Sequence, residues 1–313
     1  MSAVSLNARA SANFPEKLAH TRTVLQQGAQ EFAREAGAAT AALTLACSLG
    51  AEDMVLTHLV NALALDIDIF VLDTGKLHAQ TLQLLSQLQT TSSAPVHVFQ
   101  PDAKAAGEFV VREGQDAMYQ SIALRKACCQ IRKMEPLERA LAGKKAWITG
   151  LRREQSGARA EVPFVDRSQA SRVKLNPLSD WTWGDVWHYI ATNNVAYNPL
   201  HDAFFPSIGC EPCTRAIAQG EDFRAGRWWW ESSDLKECGL HVKPQAGEST
   251  PVAASAQANL HEGQVKDSQE SGRSQSEAAK ECGLHVSPHS SLASAQAQDR
   301  QCEEQSDVAV HGG

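Results

Sequence analysis

Short, mostly apolar runs alternate along the chain with longer stretches in which apolar positions recur every three or four residues. Ala41–Ala46, Ile67–Leu72, Val96–Phe99 and Ala146–Thr149 have the length and content of buried strands, with Val173–Leu175 as a shorter fifth. Helical periodicity falls at Glu16–Glu35, Asp53–Ala64, Leu77–Leu88, Glu135–Leu141 and Thr182–Thr192. Buried strands separated by helices predict an α/β fold, a parallel sheet with helices on both faces. Ligands of such sheets sit at the carboxyl ends of the strands, which is where the polar signatures fall.

The pattern stops near residue 244. From 245 to 313 there is no Phe, Trp or Tyr, and Ser, Ala, Gln and Glu dominate. Such a segment buries too little apolar surface to offset its ordering entropy and is expected to be disordered. It holds ten acidic and four basic residues, most of the net charge of −7. The body is therefore near neutral and can hold a small anion in local basic clusters, but it offers no broad nucleic-acid surface. Lys236–Val242 and Lys280–Val286 both read KECGLHV, and ASAQA follows each at Ala254–Ala258 and Ala293–Ala297, a tandem duplication. The chain has no run of about 18 apolar residues, and Met1–Ala12 lacks the apolar core of a secretory leader. A cytoplasmic protein without a membrane span is expected. Eight cysteines in that reducing compartment point to metal binding or catalysis rather than to disulfides.

Three turns follow predicted strands. Cys47-Ser48-Leu49-Gly50-Ala51-Glu52-Asp53 opens a helix, where backbone N–H groups and the helix N-terminus favour a phosphate-like anion, although an ordinary βα turn reads equally well. Leu72-Asp73-Thr74-Gly75 closes the second strand, and Asp73 serves as a helix cap or as part of a nucleotide crevice. Arg152, Arg153 and Arg159 follow the strand ending at Thr149, and arginine forks suit sulfate and phosphate. Cys128-Cys129 and Cys210-x-x-Cys213 supply four thiolates, with Arg125, Lys126, Arg132 and Lys133 beside them. They suit structural zinc or a 4Fe–4S cluster, and adjacent cysteines fit paired zinc knuckles badly. Cys238 stands alone in a polar segment, with Lys236 and His241 near enough to favour its thiolate.

Read in order, CCxIRK followed by EPL, TGLRRxQSxxR, NPLSDWTWxDVW, YNPLHD, PSIGCEPCTR, GRWWWE and KECGLH resemble the assimilatory adenylyl-sulfate (APS) reductases, the iron–sulfur branch of the PAPS/APS reductase family. The resemblance covers residues 43–244 and implies an adenine nucleotide alpha hydrolase-like sheet. It makes residues 1–244 a catalytic domain that includes a mobile cysteine segment, 228–244, and leaves 245–313 as a tail. Cys128, Cys129, Cys210 and Cys213 would ligate a 4Fe–4S cluster, with Lys133 as a charged link to the substrate. Ser48, Gly50, Asp53, Leu72 and Gly75 would hold the adenosine nucleotide, although Cys47-Ser48-Leu49-Gly50 stands where many relatives have Ser-Phe-Ser-Gly, so individual contacts in this loop stay open. Arg152, Arg153, Arg159, Arg224 and Arg227 would neutralise the phosphosulfate. Cys238 would be the nucleophile and His241 would help to close over the substrate.

The chemistry so implied is attack of the Cys238 thiolate on adenosine 5′-phosphosulfate, followed by release of sulfite by thioredoxin or a similar dithiol. Two alternatives remain open: a reductase of the 3′-phosphorylated substrate, and an iron–sulfur electron carrier, which would have no use for Cys238. A homo-oligomeric state and the role of the duplicated tail are left undetermined.

Overall fold

The computed structural model describes residues 1–169 and 171–231. The expectations for Cys238, His241 and the 245–313 tail, with its second KECGLHV copy, lie outside the described residues. In chain order the elements are α1 (Ala3–Asn7), α2 (Phe14–Glu31), β1 (Leu43–Ala46), α3 (Ala51–Ala62), β2 (Asp68–Leu72), α4 (Ala79–Thr91), β3 (Val96–Phe99), α5 (Ala103–Glu113), α6 (Ile122–Cys129), α7 (Glu135–Leu141), β4 (Ala146–Ile148), β5 (Val165–Asp166), β6 (Val173–Leu175) and α8 (Trp183–Asn193). The strands form one mixed α/β sheet in the order β3-β2-β1-β4-β6-β5. Every pairing is parallel except that of β5 with β6.

Side-chain alternation along the strands sorts the core into two layers. Leu43, Leu45, Ile69, Val71, Ala146, Ile148 and Leu175 face α2, α3 and α8 across the larger cluster. Phe70 and Trp147 point the other way, onto Leu137, Ala140 and Leu141 of α7. Both faces are thus covered, and the central strands can be apolar throughout. The sheet runs from β1 outward to β3, and the chain then returns to place β4 on the other side of β1. This reversal opens a crevice beyond the carboxyl ends of β1 and β4.

Local chemistry sets the element ends. Thr182 Oγ1 accepts from the Asp185 N–H at 3.0 Å and Asp185 accepts from the Thr182 N–H at 2.9 Å, a capping box that starts α8. Asn194, at φ 50°, ends it in the left-handed region. Between α6 and α7 the chain stays helical through a π turn, Gln130–Met134. Pro136 lacks the N–H that would bond to the Arg132 carbonyl, and its ring crowds that carbonyl; the wider turn relieves both conflicts. Four elements have no counterpart in the sequence reading: α1, α5, α6 and β5. In α5 only Ala106 and Phe109 are buried, too few to make a legible stripe.

Candidate active site

The first wall of the crevice is the turn after β1. Leu49 sits at φ 64°, a left-handed conformation for a branched side chain that is held by complete burial. Asp53, in the first turn of α3, closes the loop: its Oδ2 accepts from Ser48 N at 2.7 Å and Ser48 Oγ at 2.5 Å. Burial pushes its carboxyl up to about 6, against those same hydrogen bonds. Gly150, just past β4, permits the closure, because a Cβ there would stand 2.3 Å from Asp53 Oδ1 and 2.9 Å from Glu52 Cβ. Cys47 lines the same wall, and burial, with the Asp53 charge second, pushes its thiol up to about 12. It is a packing residue rather than a nucleophile.

Ser48, Gly50, Asp53, Leu72, Lys133, Arg159, Arg224 and Arg227 all line one cavity of about 220 Å³. Its apolar side includes Ala46, Phe70, Leu137 and Trp147, and its opposite rim is Pro206–Gly209 with Phe223 and Trp228. An apolar slot joined to a basic end matches a nucleotide with an anionic tail. Arg227 is built into the basic end. Its Nη1 donates to Ile208 O at 3.1 Å, its guanidinium lies 4.8 Å over the Trp228 ring, and its buried Nε has no protein partner. Gly209 makes room, since a Cβ there would meet Arg227 Nη2 at 2.4 Å.

Three of the expected substrate residues, Gly75, Arg152 and Arg153, do not line this cavity. Arg152 is 1% exposed and already neutralised: Nε donates to Glu52 Oε1 at 2.9 Å and Nη1 to Glu154 Oε2 at 2.7 Å. It braces the loop from behind. Arg153 turns away, donating to Val162 O at 3.0 Å and stacking on Phe164 at 5.3 Å. Gly75, at φ 66°, forms a left-handed turn that lets Arg132 approach and donate to Thr74 O at 2.9 Å. Spacing alone could not separate the three arginines, because neither partner carboxylate of Arg152 is marked as such in the sequence.

Several contributors were not foreseen. Gln155 Nε2 donates to Glu52 Oε1 at 2.9 Å, and Arg159 Nη1 donates to Gln155 Oε1 at 2.5 Å, so Gln155 relays the Glu52 brace to a cavity residue. His201 also lines the cavity, packed between Trp183 and Trp187, and burial lowers its pKa to about 4. Thr149, Gly150, Gln155 and His201 stand inside the quoted motifs, so the signal was present without a role attached to it.

Adjoining the crevice is a second, apolar cavity of about 10 Å³, lined by Cys128, Cys129, Cys210 and Cys213 with Lys76, Met118, Arg125, Arg132 and Lys133. Two chain segments are thereby brought together: α6 supplies the first pair and the turn at Glu211–Cys213 the second. An isolated bridge between Leu77 and Cys210 and a 3.2 Å contact from Thr74 Oγ1 to Cys210 Sγ seat the second pair. Lys133 lines both cavities. Among the described residues, no group of three or more His, Cys, Asp or Glu side chains is set to hold a single metal ion. The donor set fits a polynuclear cluster in its chemistry. Four thiols converge, four basic side chains and no carboxylate surround them, and the buried Trp228 Nε1 lacks a partner while its ring packs with Cys213.

A parallel α/β sheet with a glycine-bearing loop and a basic rim at its switch point defines a nucleotide-binding domain, here with a four-cysteine site at its side. The family model described as "Phosphoadenosine phosphosulfate reductase domain" matches residues 42–216, and the chain belongs to that family. It is similar to proteins named adenosine 5′-phosphosulfate reductase: one from Burkholderia cepacia is 51% identical over 68% of this chain and 84% of the relative. Another, from Allochromatium vinosum, is 51% identical over 64% of this chain and 78% of the relative. A crystal structure of phosphoadenylyl-sulfate (PAPS) reductase from Candida auris shares the fold, with a TM-score of 0.51 at 24% identity over 61% of this chain and 88% of that one. No helix among the described residues is long and apolar enough to cross a membrane.

Proposed function

We propose that the chain is an iron–sulfur adenylyl-sulfate reductase of sulfate assimilation, which converts adenosine 5′-phosphosulfate to sulfite and AMP at the expense of a dithiol in the cytoplasm. The observation that carries the reading is the shared wall: Lys133 lines both the anion crevice and the four-cysteine cavity. Relatives at 51% identity that bear the name adenosine 5′-phosphosulfate reductase support the choice of substrate.

In this reading the adenine occupies the apolar slot near Phe70 and Leu72, and Ser48, Gly50 and the Asp53-braced loop hold the nucleotide. Lys133, Arg159, Arg224 and Arg227 meet the phosphosulfate and reduce its repulsion of an incoming thiolate. The Cys238 thiolate attacks the sulfate sulfur; a sulfur–sulfur bond forms, the sulfur–oxygen bond to phosphate breaks, and its electron pair leaves on AMP. A dithiol of the thioredoxin class then attacks the Cys238 sulfur. Sulfite departs with the electron pair of the sulfur–sulfur bond, and the second thiol resolves the mixed disulfide, returning the Cys238 thiolate. The two electrons that reduce the sulfur come from the dithiol. His241 would assist in closing the site. A 4Fe–4S cluster held by Cys128, Cys129, Cys210 and Cys213 would supply a fixed body of charge beside Lys133 and bind the two cysteine segments together.

The reductase would reside in residues 1–244. Cys282 repeats the surroundings of Cys238 but lies 44 residues further on. A flexible linker of that length spans roughly 35–40 Å r.m.s. and gives about millimolar effective concentration, so the second copy competes poorly.

The test is an anaerobic assay of sulfite release with thioredoxin, combined with mass spectrometry of protein incubated with substrate alone. Sulfonate on the Cys238 peptide, absent in Cys238→Ser and retained in Cys282→Ser, supports the reading. Sulfonate on Cys282, faster turnover of the 3′-phosphorylated substrate, or stoichiometric zinc with negligible iron in fresh protein would each overturn the corresponding part.

A further inference from the structure

Where the described chain ends, three side chains lock together. Arg125, on α6, is fully buried. Its Nε and Nη2 donate to Oε1 and Oε2 of Glu231 at 2.9 and 2.7 Å, a two-pronged fork with both side chains shielded from water. The face of its guanidinium lies 4.7 Å over the Trp228 ring. The same group hydrogen-bonds to the Cys129 side chain and lines the four-cysteine cavity. Arg125 therefore touches one of the converging cysteines on one side and the root of the Cys238 segment on the other.

The chain geometry makes this contact consequential. Glu231 precedes Cys238 by seven residues, and seven residues span at most about 23–25 Å fully extended. Wherever Cys238 acts, it acts within that radius of a point fixed by Arg125. A buried ion pair is a poor source of net stability, because desolvation consumes most of its attraction, whereas its two-pronged geometry is directional. Two apolar side chains would fill the same space; the fork fixes direction as well.

We propose that Arg125 and Glu231 are a positioning pair: they anchor the segment bearing Cys238 to the helix that bears Cys128 and Cys129, so that seating of the cysteine site and the reach of the catalytic thiol are coupled. This rests on the reading of Cys238 as the nucleophile. The pair touches neither substrate nor the reacting sulfur. The cavity arginines act on binding, and this pair acts on delivery.

The experiment compares wild type with Glu231→Gln and Arg125→Lys in the full chain, purified anaerobically. Four quantities are read: AMP affinity, iron content, the first-turnover rate of Cys238 sulfonation, and the rate at which iodoacetamide alkylates Cys238 with and without AMP. Anchoring predicts that AMP affinity stays within about twofold and sulfonation slows about tenfold or more, with kcat falling and KM holding. It also predicts that AMP changes the Cys238 alkylation rate in wild type and leaves it unchanged in the variants. Sulfonation and alkylation within twofold of wild type in a folded variant overturn the proposal, as does a loss of AMP affinity in step with sulfonation. Should the single variants fail to fold, the paired Arg125→Met, Glu231→Leu protein removes both charges together and must show the same slowed sulfonation with AMP affinity intact. Wild type that never sulfonates Cys238 would instead reject the reading of the nucleophile, which separates the two failures.

Discussion

Replacing Arg152 by Met should unfold the protein more readily while sparing its affinity for nucleotide. The guanidinium is 1% exposed and donates to Glu52, Glu154 and, at 3.3 Å, to the Trp181 carbonyl. Its face also lies over Trp183 and Phe223, at 5.3 and 5.9 Å. Methionine keeps much of the length but leaves the buried Glu52 carboxylate with Gln155 as its remaining side-chain donor. Breaking a buried pair from one side costs about 3–5 kcal/mol. At roughly 2–4 °C per kcal/mol for a domain of this size, the midpoint of thermal unfolding should fall by about 6–20 °C. The pH dependence separates this cause from a simple cavity. Burial alone would raise the Glu52 pKa, but Arg152 and Gln155 reverse that and hold it below the usual carboxylate range. Without Arg152 burial prevails and the folded-state pKa rises. The variant then loses stability as pH climbs through the raised value, so its deficit should be larger at pH 8 than at pH 5. Thermal denaturation at both pH values, with AMP titration by calorimetry well below the midpoint, measures each part. An unchanged midpoint with a tenfold loss of AMP affinity would place Arg152 on the ligand and refute the argument.

Arg227→Ala should do the opposite, weakening AMP and adenosine 5′-phosphosulfate by about ten- to a hundredfold through the loss of a charge-assisted contact worth about 1.5–3 kcal/mol; equal dissociation constants would make it a packing residue. Asp185 gives an acid-stability prediction. Burial opposes its ionisation, but the Ser11 and Thr182 N–H groups and Lys17 outweigh it and lower its carboxyl from 3.8 to about 2. The resulting stability, about 2 kcal/mol, is present above pH ~4 and lost as pH falls toward 2. Asp185→Asn should therefore be about that much less stable at pH 6 and nearly level with wild type at pH 2, as urea denaturation at the two pH values would show.

What the chain reveals before folding divides by physical cause. The central strands were legible because a sheet covered on both faces favours apolar residues on both: Ile67–Leu72 and Ala146–Thr149 each differ from the observed strand by one residue. Elements with few buried residues escaped, as α5 shows. β5 escaped because two residues pairing at a sheet edge carry no periodicity. The crevice was legible in outline, since topology puts the carboxyl ends of β1 and β4 together and the polar turns mark them. What the sequence could not distribute was the role of each cation. Arg152, Arg153 and Arg159 are near neighbours along the chain, yet one is neutralised by Glu52 and Glu154, one stacks on Phe164, and one lines the cavity.

The same distinction bears on how a near-neutral domain holds a multiply charged anion. Basic residues are affordable inside a fold only if something balances them when the ligand is absent. Arg152 and Arg125 are each balanced by a buried carboxylate, Glu52 and Glu231, which suits them to bracing. Arg227 is balanced differently. A carbonyl, a hydroxyl and the face of an indole steady it, none of them charged, and its Nε is left without a protein partner. A guanidinium held in place by neutral groups keeps its full charge for an incoming anion, whereas one paired to a carboxylate has already spent it. Burial and a basic side chain are common to all three. In the proposed reading the charge of the partner decides which one serves the ligand.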